Sequence, residues 1–245
     1  GLLACAGGIL NQLFEQDIDQ MMSRTKNRPL VNAIISREHA IFLVFMFLFF
    51  GSIILYMFSN TLTLGLTLFT MLGYSYIYTK ILKPNTSQNI VIGGASGAFP
   101  PMIGWTAVTG DIGWGAIALF AIIFLWTPPH SWALALFRRA DYLAADVPMM
   151  PVVAGERETK RLILVYTVLM IVATFSPVAV GMSGAVYGVI ALGLGIEFWR
   201  RCWRVWKSEE EQEKTAKPLF LFSIFYLFTI FVAMLLDRLL PVPVL

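Results

Sequence analysis

The sequence has few charged residues and almost no cysteine. Only 13% of its 245 residues are Asp, Glu, Lys or Arg, whereas soluble domains average roughly 25%. The two cysteines, Cys5 and Cys202, lie in or beside apolar segments without the spacing of metal ligands, so we interpret them as structural thiols. The scarcity of charge leaves no part of the chain long enough for a separate soluble domain.

The N-terminal segment lacks both a charged region and a cleavage signature, so a signal peptide is not expected. Only ten mostly apolar or small residues precede Asn11, which is about half of a membrane crossing. We therefore expect the chain to begin inside a helix, with upstream sequence absent. The expected organisation is a single transmembrane domain over residues 1–245 that lacks its N-terminal helix.

Apolar residues are abundant: 58% of the chain is hydrophobic and the mean hydropathy is +0.72. Apolar runs of about 20 residues, long enough to cross a hydrocarbon core, recur along almost the whole chain. The predicted fold is an all-α, polytopic membrane helix bundle with seven complete spans and one partial span. The complete spans are predicted at residues 40–58, 62–81, 90–108, 114–137, 162–181, 185–206 and 219–236.

Lys and Arg concentrate on one side of these spans. The connections at residues 59–61, 109–113 and 182–184 contain neither residue type, and of the 18 Lys and Arg only Arg238 falls on their side. The positive-inside rule makes the basic side cytoplasmic, or the matrix side in a mitochondrion. We expect an active site on that side, and we favour a bacterial plasma membrane over a mitochondrial inner membrane.

The first candidate site is in residues 11–29. On a helix, Asn11, Glu15 and Asp19 are four residues apart and each is rotated by about 40° from the last, so all three share one face. Carboxylate and amide oxygens are the hard ligands that Mg²⁺ prefers. This face therefore predicts a Mg²⁺ site. Phosphate-binding candidates follow it directly at Arg24, Lys26 and Arg28.

A second acidic cluster follows the span 114–137. Arg138 and Asp141 are one turn apart, whereas Asp146 would point about 140° away from Asp141 on a regular helix. Two carboxylate clusters on one side of a membrane, each beside Arg or Lys, suggest a diphosphate bridged through metal ions. The alternative for either cluster is a solvated loop whose acids balance the surrounding bases.

Two further groups have an open interpretation. Lys80 and Lys83 are one turn apart near the cytoplasmic end of a span, where they bind a phosphate or carboxylate or anchor the helix by snorkelling. His130 stands four residues after Trp126. A lone His near a helix end is more often a hydrogen-bonded structural residue than a ligand, but this position also suits the wall of a cavity.

The motifs resemble those of a known family. Asn11-x-x-x-Glu15-x-Asp17-x-Asp19 with the basic run after it is similar to the first acidic motif of the UbiA-type intramembrane prenyltransferases, and within them to haem-farnesylating members. Further similar motifs cover most of the chain up to residue 151, and beyond residue 161 only the hydropathy matches. These further motifs are Tyr78-Thr-Lys80-x-Leu-Lys83, Gly94-Ala-Ser-Gly97-Ala-x-Pro100-Pro101-x-Ile-Gly104-Trp105, Pro129-His130-Ser131-Trp132 and Phe137-Arg138-x-x-Asp141-Tyr142-x-x-Ala145-x-x-Pro148-Met-x-Pro151.

The resemblance implies a nine-helix bundle around a central cavity, with the first helix and part of the second missing here. It implies Mg²⁺-dependent transfer of the farnesyl group from farnesyl diphosphate to a vinyl group of haem B, giving haem O. The implied catalytic metal ligands are Asn11, Glu15 and Asp19 at a first site and Asp141 at a second, with Asp146 as a further candidate. The implied diphosphate-binding residues are Arg24, Lys26, Arg28, Lys80, Lys83 and Arg138, and His130 is a haem-binding candidate. Glu15 stands where the family commonly has Asp.

Two alternatives remain at this stage. The nearer one keeps the fold and replaces haem by an aromatic quinone precursor. The other is a membrane transporter, but ion-coupled carriers place ionisable groups near the bilayer midplane, and here the span centres are almost free of charge. The expected partners are farnesyl diphosphate, haem B and the lipid bilayer, with no nucleic acid.

Overall fold

The computed structural model describes residues 1–21, 25–82, 85–86, 88–144, 147–209 and 212–239. In these ranges the regular structure is entirely helical, with twelve α-helices and one π-helix, which confirms the all-α prediction. The first half contains α1 (Leu2–Phe14), α2 (Gln16–Met21), α3 (Arg37–Phe58), α4 (Thr61–Leu72), the π-helix (Gly73–Leu82) and α5 (Asn89–Thr109). The second half contains α6 (Trp114–Phe137), α7 (Arg139–Ala144), α8 (Met150–Val153), α9 (Gly155–Thr174), α10 (Ser176–Ala179), α11 (Ala185–Lys207) and α12 (Gln212–Leu239).

Each predicted span lies largely in helix. Among the described residues, four helical segments are both long and apolar enough to cross a membrane, namely α3, α6, Gly155–Ala179 and α12. The span predicted over residues 62–81 consists of α4 continued by the π-helix. Helices α9 and α12 begin at Gly155 and Gln212, seven residues before the predicted spans. Hydropathy marks only the membrane-embedded part, whereas Glu, Lys and Gln are good helix formers that extend a helix into water.

The chain forms two compact units. Unit 1 contains Gly1–Ile112 and Ala140–Met149, and unit 2 contains Gly113–Arg139 and Met150–Leu245. In unit 1, α1 packs against α3, α4 and the π-helix, and α5 packs against the last two of these. In unit 2, α6 packs against α9 and α12, and α11 packs against the same two helices. The expectation of one transmembrane domain stays a prediction.

Local signals account for several helix starts. The side chain of Ser36 accepts a hydrogen bond from the backbone N–H of His39 and caps α3, and Asn60 caps α4 by accepting from the N–H of Thr63. Pro100 and Pro101 lie inside α5, and Pro128 and Pro129 inside α6, without ending either helix. Membrane helices tolerate such prolines because neighbouring helices and hydroxyl side chains satisfy the freed backbone groups.

Candidate active site

Asn11, Glu15 and Asp19 lie on one buried face, as predicted. Their exposed fractions are 7%, 4% and 2%, whereas Asp17 between them is exposed. The helix is interrupted, because α1 ends at Phe14 and α2 begins at Gln16. However, the N–H of Glu15 donates to the carbonyl of Asn11 at 3.0 Å, and the N–H of Asp19 donates to the carbonyl of Glu15 at 2.8 Å. These bonds keep the four-residue register, so the interruption leaves the three oxygen donors on the same face.

The amide of Asn11 is held by a residue far away in the sequence. Its Nδ2 atom donates to Oγ1 of Thr79 in the π-helix at 3.0 Å, and both side chains are buried. Since the nitrogen makes this bond, the carbonyl oxygen Oδ1 is the Asn11 atom that can ligate a cation.

Asp19 forms an ion pair with Arg28. Nη1 of Arg28 lies 2.5 Å from Oδ2 of Asp19, and the hydroxyl of Thr25 donates to the backbone carbonyl of Asp19 at 3.1 Å. The loop after α2 therefore folds back onto the end of that helix. A buried carboxylate needs such a partner, because an unpaired charge in a low-dielectric site is costly.

Two other predicted cations of unit 1, Lys26 and Lys80, are exposed, in contrast to this buried face. The ammonium of Lys80 lies over the rings of Phe14 and Tyr76 at 5.6 and 5.5 Å from the centroids, an arrangement that agrees with anchoring. Arg138 belongs to unit 2, where its guanidinium lies over the ring of Phe137 at 5.7 Å. Arg24, Lys83 and Asp146 lie outside the described residues.

Asp141 lies in the first turn of α7 and belongs to unit 1, as the first cluster does. Within the described ranges, no three or more His, Cys, Asp or Glu side chains lie close enough to hold a metal ion. Asp141 therefore does not join Glu15 and Asp19 in one carboxylate group. The first face offers two carboxylates and one amide, which suits Mg²⁺, because this ion is usually bound by one or two carboxylates, waters and substrate phosphates.

His130, the haem-binding candidate, is packed within unit 2. Its Nδ1 atom lies 2.6 Å from Oγ of Ser223, and its ring stacks on Trp126 at 4.2 Å and on Phe220 at 4.6 Å between centroids. These contacts show the hydrogen-bonded structural role that the sequence left as an alternative. The haem-binding role stays a prediction and would have to use the opposite ring edge at Nε2.

Unit 1 also contains a pocket, whose lining residues the sequence did not indicate. Its volume is about 640 Å³, within the roughly 300–1,000 Å³ of small-molecule sites. Leu3 and Gly7 line this pocket. Leu3, Gly7 and Asn11 follow one another at intervals of four residues along α1. One side of α1 therefore runs from the pocket to the oxygen donors. The remaining lining residues are Gly1, Leu2, Ala4, Gly51, Ile54, Leu55, Thr67, Thr70, Met71, Tyr74, Ser96, Pro100 and Ile103.

Residues 1–234 match the UbiA prenyltransferase family. The chain belongs to this family. It is 47% identical to a protoheme IX farnesyltransferase of Thiobacillus denitrificans, over 100% of this chain and 81% of the relative. It is also 43% identical to a protoheme IX farnesyltransferase of Maricaulis maris, over 96% of this chain and 76% of the relative. These matches confirm the prediction of a prenyltransferase.

Solved structures show the same UbiA fold. A digeranylgeranylglyceryl phosphate synthase aligns with a TM-score of 0.80 at 18% identity, over 96% of this chain and 81% of that chain. A UbiA homologue from Archaeoglobus fulgidus bound to GPP and Mg²⁺ aligns with a TM-score of 0.65 at 15% identity, over 95% and 84%. The prediction of a UbiA-type membrane bundle is therefore confirmed, and the chain is an integral membrane protein of this family.

Proposed function

We propose that this UbiA prenyltransferase transfers the farnesyl group of farnesyl diphosphate to a vinyl group of haem B. Water adds in the same conversion, so the products are haem O and diphosphate. The observation that carries the proposal is the single side of α1 that joins a pocket at Leu3 and Gly7 to the buried oxygen donors from Asn11 to Asp19. A substrate with an apolar tail and an anionic head matches this arrangement, in which the pocket is followed by the oxygen donors along α1.

The head of the substrate belongs at the oxygen donors. Asn11, Glu15 and Asp19 would hold Mg²⁺ there through Oδ1 and the two carboxylates, and the diphosphate would complete the coordination. The ion would neutralise the charge that builds on the departing diphosphate. Arg28 already lies against Asp19, so its guanidinium is placed to donate to phosphate oxygens at the same point. A Mg²⁺ requirement also agrees with the GPP and Mg²⁺ bound by the homologue from Archaeoglobus fulgidus.

The tail of the substrate belongs in the pocket. Leu3 is eight residues before Asn11, a rise of about 12 Å along α1. The pocket is lined largely by aliphatic side chains and glycines from α1, α3, α4 and α5, so burial of a prenyl chain would stabilise the complex by removing apolar surface from water. The same walls would keep water from the allylic cation until the acceptor reacts.

The relatives support haem B as the acceptor. Protoheme IX farnesyltransferases of several bacteria are 43–47% identical to this chain over nearly its whole length. We extend their acceptor, haem B, to this enzyme. We also place the active site on the cytoplasmic or matrix side, from the charge asymmetry of the connections, and favour a bacterial plasma membrane.

Purified protein in nanodiscs, supplied with haem B, farnesyl diphosphate and Mg²⁺, should form haem O, detected by mass spectrometry. Replacement of Mg²⁺ by excess chelator should stop the reaction. A parallel reaction with 4-hydroxybenzoate tests the quinone-precursor alternative. Prenylated 4-hydroxybenzoate without any haem O would overturn the acceptor assignment and leave the prenyltransferase assignment intact.

A further inference from the structure

The bond between Asn11 and Thr79 has a defined direction. The hydroxyl of Thr79 also contacts the backbone carbonyl of Tyr74 at 3.0 Å. A carbonyl can only accept, so the single proton of the hydroxyl is donated to Tyr74. The oxygen of Thr79 is therefore an acceptor toward Asn11, and only the Nδ2 side of the Asn11 amide can face it. This contact orients Oδ1 of Asn11 away from Thr79.

The π-helix produces this arrangement. In α4, the hydroxyls of Thr67 and Thr70 bond four residues back, to the carbonyls of Thr63 and Leu66. Thr79 instead bonds five residues back, which is the repeat of a π-helix. Such segments are rare and are often found at functional sites. The altered repeat places the buried Thr79 side chain against α1 at Asn11.

Packing of α5 supports the same segment. The rings of Tyr74 and Tyr78 stack at 5.8 Å between centroids. A Cβ atom at Gly93 in α5 would lie 2.0 Å from the ring of Tyr78, so only glycine leaves room for this ring. The π-helix is therefore held between α1 and α5.

We propose that Thr79 is a positioning residue for the prenyl transfer reaction. Its hydroxyl presents Oδ1 of Asn11 to the cation that Glu15 and Asp19 also ligate, and the π-helix places that hydroxyl. This inference rests on the proposed function, because it takes the Asn11 face as the cation site.

The test compares the Mn²⁺ affinity of three variants. Mn²⁺ replaces Mg²⁺, an unreactive thiolo analogue of farnesyl diphosphate is bound, and electron paramagnetic resonance monitors the binding. Thr79→Val removes the acceptor and keeps the shape, so the Kd for Mn²⁺ should rise by about five- to tenfold, the size of one lost hydrogen bond. Thr79→Ser retains the acceptor and should stay within about twofold of wild type. Ser75→Ala, which removes a buried hydroxyl one turn earlier without touching Asn11, should also stay within twofold.

Wild-type Mn²⁺ affinity in Thr79→Val would overturn the inference, as would equal weakening in Thr79→Val and Thr79→Ser. A double-mutant cycle adds a second criterion, because Thr79→Val should cause no further loss in an Asn11→Ala background. If the losses of Mn²⁺ affinity in the two single variants multiply in the double variant, Thr79 does not act through Asn11. Failure of the proposed function would appear differently, as an absence of haem O in wild-type protein that still binds Mn²⁺.

Discussion

The ion pair between Arg28 and Asp19 joins an Asp19 side chain that is 3% exposed to an Arg28 side chain that is 28% exposed, at 2.5 Å. The buried partner is one of the three oxygen donors of the candidate site. Its charge is therefore balanced by the guanidinium of Arg28. In the proposed function, a metal ion and a diphosphate that enter the site would share Asp19 with Arg28.

Arg28→Ala should lower the free energy of unfolding by about 1–3 kcal/mol, because it leaves Asp19 buried without its cation. Mg²⁺ should then raise the melting temperature of the variant by more than that of wild type, since the ion replaces the missing positive charge. Thermal unfolding in detergent with and without Mg²⁺ measures both effects. Arg161→Ala is the control, because Arg161 is 67% exposed and its pair with Glu158 contributes little. Equal Mg²⁺ shifts in Arg28→Ala and wild type would contradict the shared role of Asp19.

Asp19→Ala should reduce the rate of the proposed haem O formation by more than about 100-fold, because it removes a buried carboxylate from the proposed cation site. Asp17→Ala provides a matched control two residues earlier on the same helix. Since Asp17 is exposed, its loss should change the rate by no more than about threefold. Circular dichroism and size-exclusion profiles verify that both variants are folded. An equal loss in the two variants would show that net charge, and not the buried face, supports the reaction.

Gly7→Leu should change the preferred length of the prenyl donor. A Cβ at Gly7 would meet Cγ of Met71 at 3.2 Å, and a larger side chain would extend into the pocket that Gly7 lines. The ratio of kcat/KM for geranyl diphosphate to that for farnesyl diphosphate should rise by about tenfold, because a filled pocket excludes the longer tail. Gly8→Leu is the matched control, because a Cβ at Gly8 meets no atom within 4 Å. An unchanged ratio in a folded Gly7→Leu protein would show that the prenyl tail does not bind in this pocket.

Asp237→Ala should destabilise unit 2 without a direct effect on the donor site. The carboxylate of Asp237 in α12 accepts from the backbone N–H groups of Gly184 at 2.5 Å and Tyr187 at 3.1 Å, and so caps the start of α11. Loss of a helix cap costs about 1–2 kcal/mol. Asp237→Asn retains an acceptor oxygen and should cost less. Denaturant unfolding compares the two variants, and equal costs would indicate that the carboxylate charge matters more than the accepted bonds.

The helical part of the fold was predictable because it depends on local composition. Apolar runs such as the one in α3 specify a membrane helix through their length alone. The ends of α9 and α12 were predicted less well, since the flanking residues at Gly155 and Gln212 are polar yet helical. The π-helix was not predicted, because no composition signal separates it from the α-helix that it continues.

The candidate site residues were likewise predictable only where their arrangement depends on local spacing. The shared face of Asn11, Glu15 and Asp19 follows from four-residue spacing, and the hydrogen bonds at Glu15 and Asp19 preserve it. The environment of Lys80 could not be predicted, because it depends on where the rings of Phe14 and Tyr76 lie in space.

The sequence by itself determined that this protein is a helical membrane prenyltransferase with three oxygen donors on one helical face. Only the tertiary structure decided that Thr79 orients Asn11, that Arg28 neutralises Asp19 and that a pocket continues the same side of α1. The physical reason is the range of the interactions. Helical spacing arises from hydrogen bonds between residues four apart, whereas Asn11 and Thr79 are 68 positions apart and meet only because the packing of α1 against the π-helix brings them together.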